Sequence, residues 1–343
     1  MKKISIKEVA NFAGVSPTTV SRVINNSDHP VSQETRKKVE KAVEELNFEP
    51  NRMARGLTSN RSNIIGVIVH DISDDYFAEI LKGIESILYK DDYIINIYNT
   101  YRDVKREIKA ANILKANRAD AVVFTGGALL DEEYNREITP IIDQLKSNGS
   151  IVIGVTSHPF ADIDFEIGNL SAAKKVTGYL FEKGHVRIGY LNGPEILNTS
   201  YQRYRGFLQA FKDNDYRFDY RYLFSGDFSF EGGRRAADKI AGEIGDLTAV
   251  VAANDEMALG LMWELKNQGF DVPGDISVVG IGDIPSAKFG YPPLTTLALP
   301  IYKTGVTIGN YIVNYLNGKK FNDDNSENVL ELVERDSVLK IGD

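Results

Sequence analysis

Hydrogen-bonding side chains cluster at the start of a short helical segment near the beginning of the chain. Ser16 can cap this helix and Pro17 suits its first position, so Thr18, Ser21 and Arg22 lie on its first turns. Hydroxyl and guanidinium groups placed in this way can contact base edges or phosphates when the helix enters the major groove of DNA. A small helical bundle that binds another protein would use the same residue types, and the spacing favours DNA over that alternative.

Three helical segments with short connections position these side chains. The first begins at Ser5 with the S-x-x-E pattern of a capping box and ends at Gly14, where glycine would stop a helix. The second follows a tight turn and ends at Asn25, and the third runs from Ser32 through Leu46 with an apolar stripe on one face. We therefore expect a three-helix unit that begins with a helix-turn-helix.

Charge is distributed unevenly along the chain. Residues 1–62 hold eleven Lys and Arg against seven Asp and Glu, whereas the rest of the chain holds 29 basic and 41 acidic residues. A basic segment on an acidic body suits a nucleic-acid binder that avoids non-specific contacts. Solvated lysine-rich helix faces would produce the same excess, so charge alone leaves both interpretations open.

Length and composition limit the class of protein. A chain of 343 residues with 43% hydrophobic content should fold into at least two packed units and is not disordered. The absence of cysteine excludes a disulfide framework, a thiolate metal site and a cysteine nucleophile. No apolar run resembles a signal peptide or a membrane span, so we expect a soluble cytoplasmic protein without membrane contacts.

Seven runs rich in β-branched residues alternate with helical stretches in the rest of the chain. This alternation predicts parallel sheets flanked by helices, and seven runs exceed the need of one sheet, so we expect an α/β core of two similar lobes. The runs are Ile64–Val69, Tyr93–Tyr98, Ala121–Phe124, Ile151–Val155, Arg187–Leu191, Ala249–Ala253 and Ser277–Ile281.

No set of side chains with catalytic spacing is evident. Gly126-Gly127 and Gly232-Gly233 lack the third glycine of a dinucleotide-binding loop, and neither a phosphate loop nor a nucleophile elbow occurs. The four histidines fall in separate segments without metal-ligand spacing. We therefore predict that the protein is not an enzyme and uses neither a cofactor nor a metal.

The first sixty residues closely resemble the DNA-binding head of the lactose-repressor/galactose-repressor (LacI/GalR) family. The resemblance is carried by ISIKEVANFAGVSPTTVSRVINN and VSQETRKKVEKAVEELNFEPNRMARGL. It implies a helix-turn-helix domain over residues 1–48 and a hinge helix or linker over 49–61. It also implies DNA contacts by Asn25 and Ala54, and a Leu57 side chain wedged into the minor groove at the central operator step. An ordinary apolar residue in a linker is the alternative for Leu57.

The body resembles the periplasmic-binding-protein-like core of the same family. The matching segments are IIGVIVHDISDDYFAEILKGIE, GHVRIGYLNGP, YRGFLQAF, AVVAANDEMALG, VPGDISVVGIGDIP and PPLTT. The resemblance implies an effector-binding and dimerisation core over residues 62–343. Its first lobe would comprise about 62–162 and 293–322, and its second about 163–292 and 323–343. The ligand would lie between the lobes at the carboxyl ends of the strands.

Carried over position by position, the resemblance implies a set of effector contacts. Arg203 is preferred to Arg205, because it occupies the family's arginine position before the Gly-Phe pair. Asn254 is preferred to Asp255, which could instead cap the following helix. The implied contacts are Asp71, Tyr76, Phe77, Arg203, Phe228, Asn254 and Asp283.

Two of these positions carry alternatives. Phe77 has apolar neighbours at helical spacing and could belong to the core instead of the pocket. Gly282 stands where the family usually has an acidic residue, so either Asp283 reaches into the pocket or the effector is held differently.

We therefore expect a ligand-responsive transcription regulator, in the form of a repressor of carbohydrate uptake or catabolism genes. It would bind double-stranded, pseudo-palindromic operator DNA as a homodimer, with a sugar as the expected effector. One alternative keeps the DNA head but assigns a nucleobase or a phosphorylated protein corepressor to the core. A second alternative is a solute-binding protein, against which the DNA head argues.

Overall fold

A computed structural model of the chain describes residues 4–24, 29–48, 61–91, 93–321 and 330–342. The chain divides into two units, Met1–Ser62 and Asn63–Asp343, which are described separately below. Within the described residues, no helix is both long enough and apolar enough to cross a membrane.

The first unit is a three-helix bundle made of α1 (Ile6–Ala13), α2 (Pro17–Ile24) and α3 (Gln33–Glu45). The predicted capping box is present, because the Ser5 N–H donates to Glu8 Oε2 at 2.7 Å and the Ser5 hydroxyl accepts from the Glu8 N–H. These interactions define where the bundle begins and confirm the predicted helix-turn-helix arrangement.

Apolar side chains from all three helices form the core of this bundle. Val9, Val20 and Val39 are fully buried, and each comes from a different helix. The buried side of α2 therefore faces α1 and α3, which leaves its opposite side to the solvent.

The first sheet of the second unit contains five parallel strands in the order β2-β1-β3-β4-β5. With α4 (Asp75–Leu88), α5 (Val104–Ala116), α6 (Glu132–Ser147) and α11 (Ile301–Leu316), it forms the first lobe. The strands are β1 (Ile64–Val69), β2 (Ile94–Asn99), β3 (Ala121–Phe124), β4 (Ile151–Val155) and β5 (Ile163–Phe165).

The second sheet contains six strands in the order β11-β10-β9-β8-β6-β7, all parallel except β11. With α7 (Asn169–Glu182), α8 (Asn198–Asp213), α9 (Phe230–Ala241) and α10 (Asp255–Asn267), it forms the second lobe. The strands are β6 (Ile188–Asn192), β7 (Leu223–Ser225), β8 (Ala249–Ala252), β9 (Ser277–Gly282), β10 (Thr295–Ala298) and β11 (Glu331–Val333).

The two-lobed α/β core is as predicted, but the crossing points between the lobes differ. β5 pairs with β4 through Ile163 and Ile153, so the first lobe extends to Phe165, a few residues beyond the expected boundary at about residue 162. β10 pairs with β9 through Thr295 and Val279, so the return to the first lobe follows Ala298 rather than residue 293. The short strands β5 and β10 were missed because neither contains two adjacent apolar β-branched residues, unlike the predicted four-residue strand Ala121–Phe124.

The close approach of α11 to α4 attaches the returning segment to the first lobe. A side chain at Gly83 would place its Cβ 2.4 Å from the Tyr302 carbonyl oxygen, so only glycine allows this approach. The predicted third crossing, near 322–328, lies outside the described residues.

Candidate functional site

A cleft between the two lobes collects side chains from the carboxyl ends of strands in both sheets. This is the usual ligand position in open parallel α/β sheets. The space inside the cleft, together with the open solvent at its mouth, is about 540 Å³. It is lined by His70, Asp74, Tyr76, Phe77, Arg102, Gly126, Gly127, Leu197, Thr199, Arg203, Phe228, Asn254, Asp255, Glu256, Ile281, Gly282 and Ile284.

Arg203 lies on α8, is only 4% exposed and lines the cleft, whereas Arg205 is exposed. Its Nε donates to Asn169 Oδ1 at 2.9 Å, and its Nη1 donates to the Ala253 carbonyl oxygen. Burial lowers the pKa of Arg203, and nearby Asp255 opposes that shift. The two hydrogen bonds hold the guanidinium group in one orientation at the cleft wall.

Phe228 forms an aromatic face between two arginines. The Arg203 Cζ lies 5.8 Å from the centre of the Phe228 ring, and the Arg102 Cζ lies 5.9 Å from it. The Phe228 backbone is left-handed, with φ 66°, and its carbonyl oxygen accepts from Asn254 Nδ2 at 2.9 Å. The ring is therefore positioned by a backbone contact at a conformation that few non-glycine residues adopt.

Asn254, and not Asp255, is the residue that caps the helix following β8. Asn254 caps α10, because its Oδ1 accepts from the Met257 N–H at 3.0 Å. Asp255 is 1% exposed and accepts from the Thr296 hydroxyl at 2.5 Å and the Ile284 N–H at 3.0 Å. Both residues line the cleft, but the alternative in which Asp255 is the cap was wrong.

The aromatic residues at the start of α4 lie where the resemblance implied. Tyr76 and Phe77 line the cleft with ring centres 5.0 Å apart in an edge-to-face arrangement. Phe77 is 4% exposed and also belongs to the hydrophobic core, so its two interpretations hold together. The N-cap of this helix is Asp74, which accepts from the Tyr76 N–H at 2.9 Å.

Asp71 does not occupy the implied place in the cleft lining. Its Oδ1 accepts from the N–H of Ser73 at 3.0 Å and from the Ser73 hydroxyl at 2.7 Å, so its carboxylate closes the turn before α4. Asp74, three residues later, is the acid that lines the cleft from this segment.

Asp283 is directed elsewhere than predicted. Its Oδ1 forms an ion pair with Arg335 Nη2 at 2.5 Å, which explains why it is not among the lining residues. Gly282 has φ 152°, and a Cβ there would lie 3.1 Å from Asp255 Oδ2. The carboxylate at this wall of the cleft is therefore that of Asp255.

Burial changes the charge state of several acids around the cleft. It raises the pKa of Asp74 and of Asp255 to about 6, and that of Glu256 to about 7. Asp74 and Asp75, on the first lobe, raise the Glu256 pKa further by repulsion across the cleft. Protonation of these acids near neutral pH would therefore reduce repulsion between the lobes.

His70 and Arg102 also line the cleft, although sequence analysis identified neither of them. His70 Nε2 lies 3.9 Å from Glu107 Oε2, and Tyr134 donates its hydroxyl to Glu107 Oε1. Burial lowers the pKa of His70 to about 3 and raises that of Glu107 to about 7. His70 follows β1 and Arg102 follows β2. The direction of each side chain depends on the backbone after the strand, which is known only from the folded structure.

The second candidate site is the exposed side of α2 in the first unit. Ser16 accepts from the Thr19 N–H at 3.1 Å and so caps the helix as predicted. Pro17, Thr18 and Arg22 are exposed, and Ser21 is half-buried. The remaining predicted DNA contacts, Asn25, Ala54 and Leu57, lie outside the described residues.

Comparisons with known proteins match segments in both units of the chain. The family model for bacterial regulatory proteins of the lacI family matches residues 5–51, and that for the periplasmic binding protein-like domain matches residues 177–338. The HTH-type transcriptional repressor CytR of Escherichia coli K12 is 35% identical over 304 residues, covering 88% of this chain and 86% of CytR. The chain belongs to the LacI family.

Two further comparisons cover nearly all of this LacI-family chain. The HTH-type transcriptional repressor PurR of Vibrio vulnificus is 33% identical over 341 residues, covering 98% of this chain and 99% of PurR. The crystal structure of the lac repressor dimer bound to operator and the anti-inducer ONPF has a TM-score of 0.83 and 26% identity. It covers 98% of this chain, and the match spans 100% of that chain.

These matches confirm the predicted family and fold class of the LacI-family protein. It is a DNA-binding regulator of transcription whose core has the fold of ligand-binding regulators. The relatives are transcriptional regulators and not enzymes, which supports a non-enzymatic role.

Proposed function

We propose that this protein is an operator-binding repressor of carbohydrate uptake or catabolism genes, and that a small molecule in the interlobe cleft sets its affinity for DNA. The observation that carries the proposal is the cleft itself, where a buried arginine, an aromatic ring and carboxylates converge from two lobes. Aromatic faces can pack on the apolar side of a sugar ring, while Arg203 and Asp74 offer a donor and an acceptor for its hydroxyl groups.

Contacts across the cleft give the effector a means of acting on the lobes. The Asn198 N–H donates to the Ala128 carbonyl oxygen at 2.9 Å, and the Ser286 hydroxyl donates to Asp75 Oδ2 at 3.2 Å. Each pair joins one lobe to the other, so a ligand that binds between them favours one lobe arrangement. Its effect on operator affinity must equal its difference in affinity for the two arrangements.

Fluorescence anisotropy on DNA from upstream of the protein's own gene and its neighbours tests the proposal, with and without neutral sugars and nucleobases. Salt is held constant because phosphate contacts dominate apparent affinity. Specific binding changed by a sugar supports the proposal, and a change caused by a nucleobase would assign the effector to that class instead. Binding indifferent to every compound favours a protein corepressor, and absence of specific binding would overturn the DNA-binding role.

Arg22→Ala is expected to weaken operator binding about 10-fold while changing binding to unrelated DNA much less. Arg22 lies on the exposed side of α2, where a guanidinium group can contact a base edge. Lys37→Ala, which removes one exposed positive charge from α3 of the same unit, is the matched control. Equal losses on operator and unrelated DNA in both variants would contradict base recognition by Arg22.

A homodimer is proposed because a two-fold symmetric operator needs two copies of α2. The second lobe offers an apolar surface for it, since Phe289 and Tyr291 are 84% and 78% exposed and Trp263 on α10 is half-exposed. Lys266, one turn further along α10, places its Nζ 3.5 Å from the centre of the Tyr291 ring, so Tyr291 lies against the helix that carries Trp263. Aromatic clusters of this kind are typical of interfaces.

Replacing Phe289 and Tyr291 together by Asp is expected to raise the dimer dissociation constant about 30-fold, because both rings would lose their burial against the partner. Sedimentation velocity over a concentration series measures the change. Tyr220→Asp alters another exposed tyrosine of the same lobe and serves as the control. A double variant that dimerises as tightly as the wild type would place the interface elsewhere.

A further inference from the structure

Arg102 is directed into the cleft by an unusual turn after β2. The Thr100 N–H donates to the Val69 carbonyl oxygen at 2.9 Å, and the Tyr101 N–H donates to the His70 carbonyl oxygen at 2.7 Å. Tyr101 and Arg102 then both adopt left-handed backbone conformations, with φ 53° and 62°. Asp103 ends the turn as the N-cap of α5. Two successive non-glycine residues in this region cost free energy, and such strain concentrates at functional sites.

The side chain of Arg102 reaches across the cleft but is incompletely satisfied there. Its guanidinium carbon lies 5.9 Å from the centre of the Phe228 ring, which belongs to the second lobe. Its Nε is buried and has no hydrogen-bond partner in the part of the chain that the structure describes. A guanidinium group can only donate, so this atom needs an acceptor oxygen that the protein does not supply.

The charges around the two arginines indicate what kind of oxygen that is. Burial lowers the pKa of Arg102, and Asp74, Asp71 and Asp227 counteract that shift. Asp255 and Asp74 have the same effect on Arg203. Carboxylates therefore already lie close to both cations, and a ligand phosphate would add negative charge beside these acids.

We propose that Arg102 contacts the effector directly, through donation from its Nε to an uncharged hydroxyl or carbonyl oxygen of the ligand. The cleft then selects neutral compounds over their phosphorylated counterparts. This inference rests on the proposed function, because it presumes a small molecule in the cleft. It adds a first-lobe donor opposite Arg203, so one ligand is held by guanidinium groups from both lobes.

Isothermal titration with neutral and phosphorylated pairs tests the contact. The probes are D-glucose and glucose 6-phosphate, D-ribose and ribose 5-phosphate, and cytidine and its 5′-monophosphate. For the neutral compound that binds the wild type, Arg102→Gln is expected to raise the Kd about 10-fold. The phosphorylated form of that compound should bind the wild type about 10-fold more weakly than the neutral form does. Arg106→Gln alters an exposed arginine that lies about one turn further along the chain and does not line the cleft, and it should leave Kd within about twofold.

Thermal unfolding of the effector-free protein provides a second readout that needs no ligand. An arginine kept for effector binding leaves a buried donor unpaired, so Arg102→Met should lower Tm less than Arg203→Ala, which removes two hydrogen bonds. A loss of Tm as large as that of Arg203→Ala, an unchanged Kd in Arg102→Gln, or tighter binding of a phosphorylated probe would each overturn the proposal. Operator binding by the wild type is measured separately, and its absence would refute the proposed function rather than the Arg102 contact.

Discussion

Arg203→Ala is expected to raise the Kd for the effector at least about 100-fold while operator DNA is still bound. The side chain is almost fully buried, is oriented by Asn169 and the Ala253 carbonyl oxygen, and lies beside the Phe228 ring. Its removal deletes a charged donor that the protein has already paid to desolvate and orient. Operator binding should persist because α2 belongs to the other unit of the chain.

The same substitution leaves polar atoms unpaired inside the second lobe. Asn169 Oδ1 loses its donor and Asp255 loses a neighbouring cation, so we expect the free energy of unfolding to fall by about 1–3 kcal/mol. Arg203→Lys keeps the charge without the planar fork and should recover stability better than effector binding. Urea unfolding and effector titration together separate these two losses.

Arg205→Ala is the matched control for this prediction. Arg205 lies on the same helix, is exposed, and places its guanidinium group 5.5 Å from the Tyr201 ring centre, away from the cleft lining. Its loss should change neither the Kd nor the unfolding free energy by more than about 0.5 kcal/mol. If Arg203→Ala responded to effector as well as Arg205→Ala does, the cleft would not be the effector site.

The extent to which the strands could be predicted depended on their content of apolar β-branched residues. All seven predicted strands are present, because runs such as Ile64–Val69 are long and buried on both faces. Four strands of three or four residues were missed, among them Leu223–Ser225 and Glu331–Val333. Segments this short owe their strand conformation to pairing partners distant in sequence, which no local pattern reveals.

The residues of the cleft could be predicted where a motif fixed them on a helix. Tyr76, Phe77 and Arg203 lie at the beginnings or on the inward faces of helices, and the family resemblance placed them in the cleft. Arg102 could not be found in this way, because its direction follows from two left-handed residues in a loop. The backbone dihedral angles of such a turn determine where its side chains point, and these angles cannot be inferred from the spacing of residues in the sequence.

The choice between neighbouring acids was equally beyond the sequence. Asp283 follows Gly282 at the end of β9, and a left-handed backbone with φ 54° directs it to Arg335. Asp255 follows the cap of α10 and is drawn inward by the Thr296 hydroxyl and the Ile284 N–H. The direction of each carboxylate depends on a partner from a distant segment of the chain, so it could be determined only from the folded structure.

Glu107 is the buried acid whose titration should affect stability most clearly. It is 3% exposed, its Oε1 accepts from the Tyr134 hydroxyl, and its Oε2 has no hydrogen-bond partner among the described residues. Burial raises its pKa from 4.5 to about 7, with the Tyr134 hydrogen bond acting in the opposite direction. The folded protein therefore retains a proton between pH 4.5 and 7 that the unfolded chain has released, so stability falls as pH rises through this window.

Glu107→Gln should remove this pH-dependent loss. A neutral amide keeps an oxygen for the Tyr134 hydroxyl, and no proton has to be released at high pH. Relative to the wild type, the variant is expected to gain about 3 kcal/mol in unfolding free energy between pH 4.5 and pH 8. Urea unfolding of both proteins at several pH values measures the difference. The lowered pKa of His70 makes stability rise with pH, but this contribution is the same in both proteins and cancels from the difference.

Tyr134→Phe provides the complementary variant, because it removes the hydrogen bond that favours the ionised form of Glu107. It should raise the Glu107 pKa further, so that the decline in stability with rising pH continues to a higher pH in this variant than in the wild type. The difference in unfolding free energy between Glu107→Gln and the wild type could instead stay constant from pH 4.5 to pH 8. That result would show that Glu107 does not change its protonation on unfolding. The short Tyr134–Glu107 contact would then join a carboxylate that stays ionised in the core.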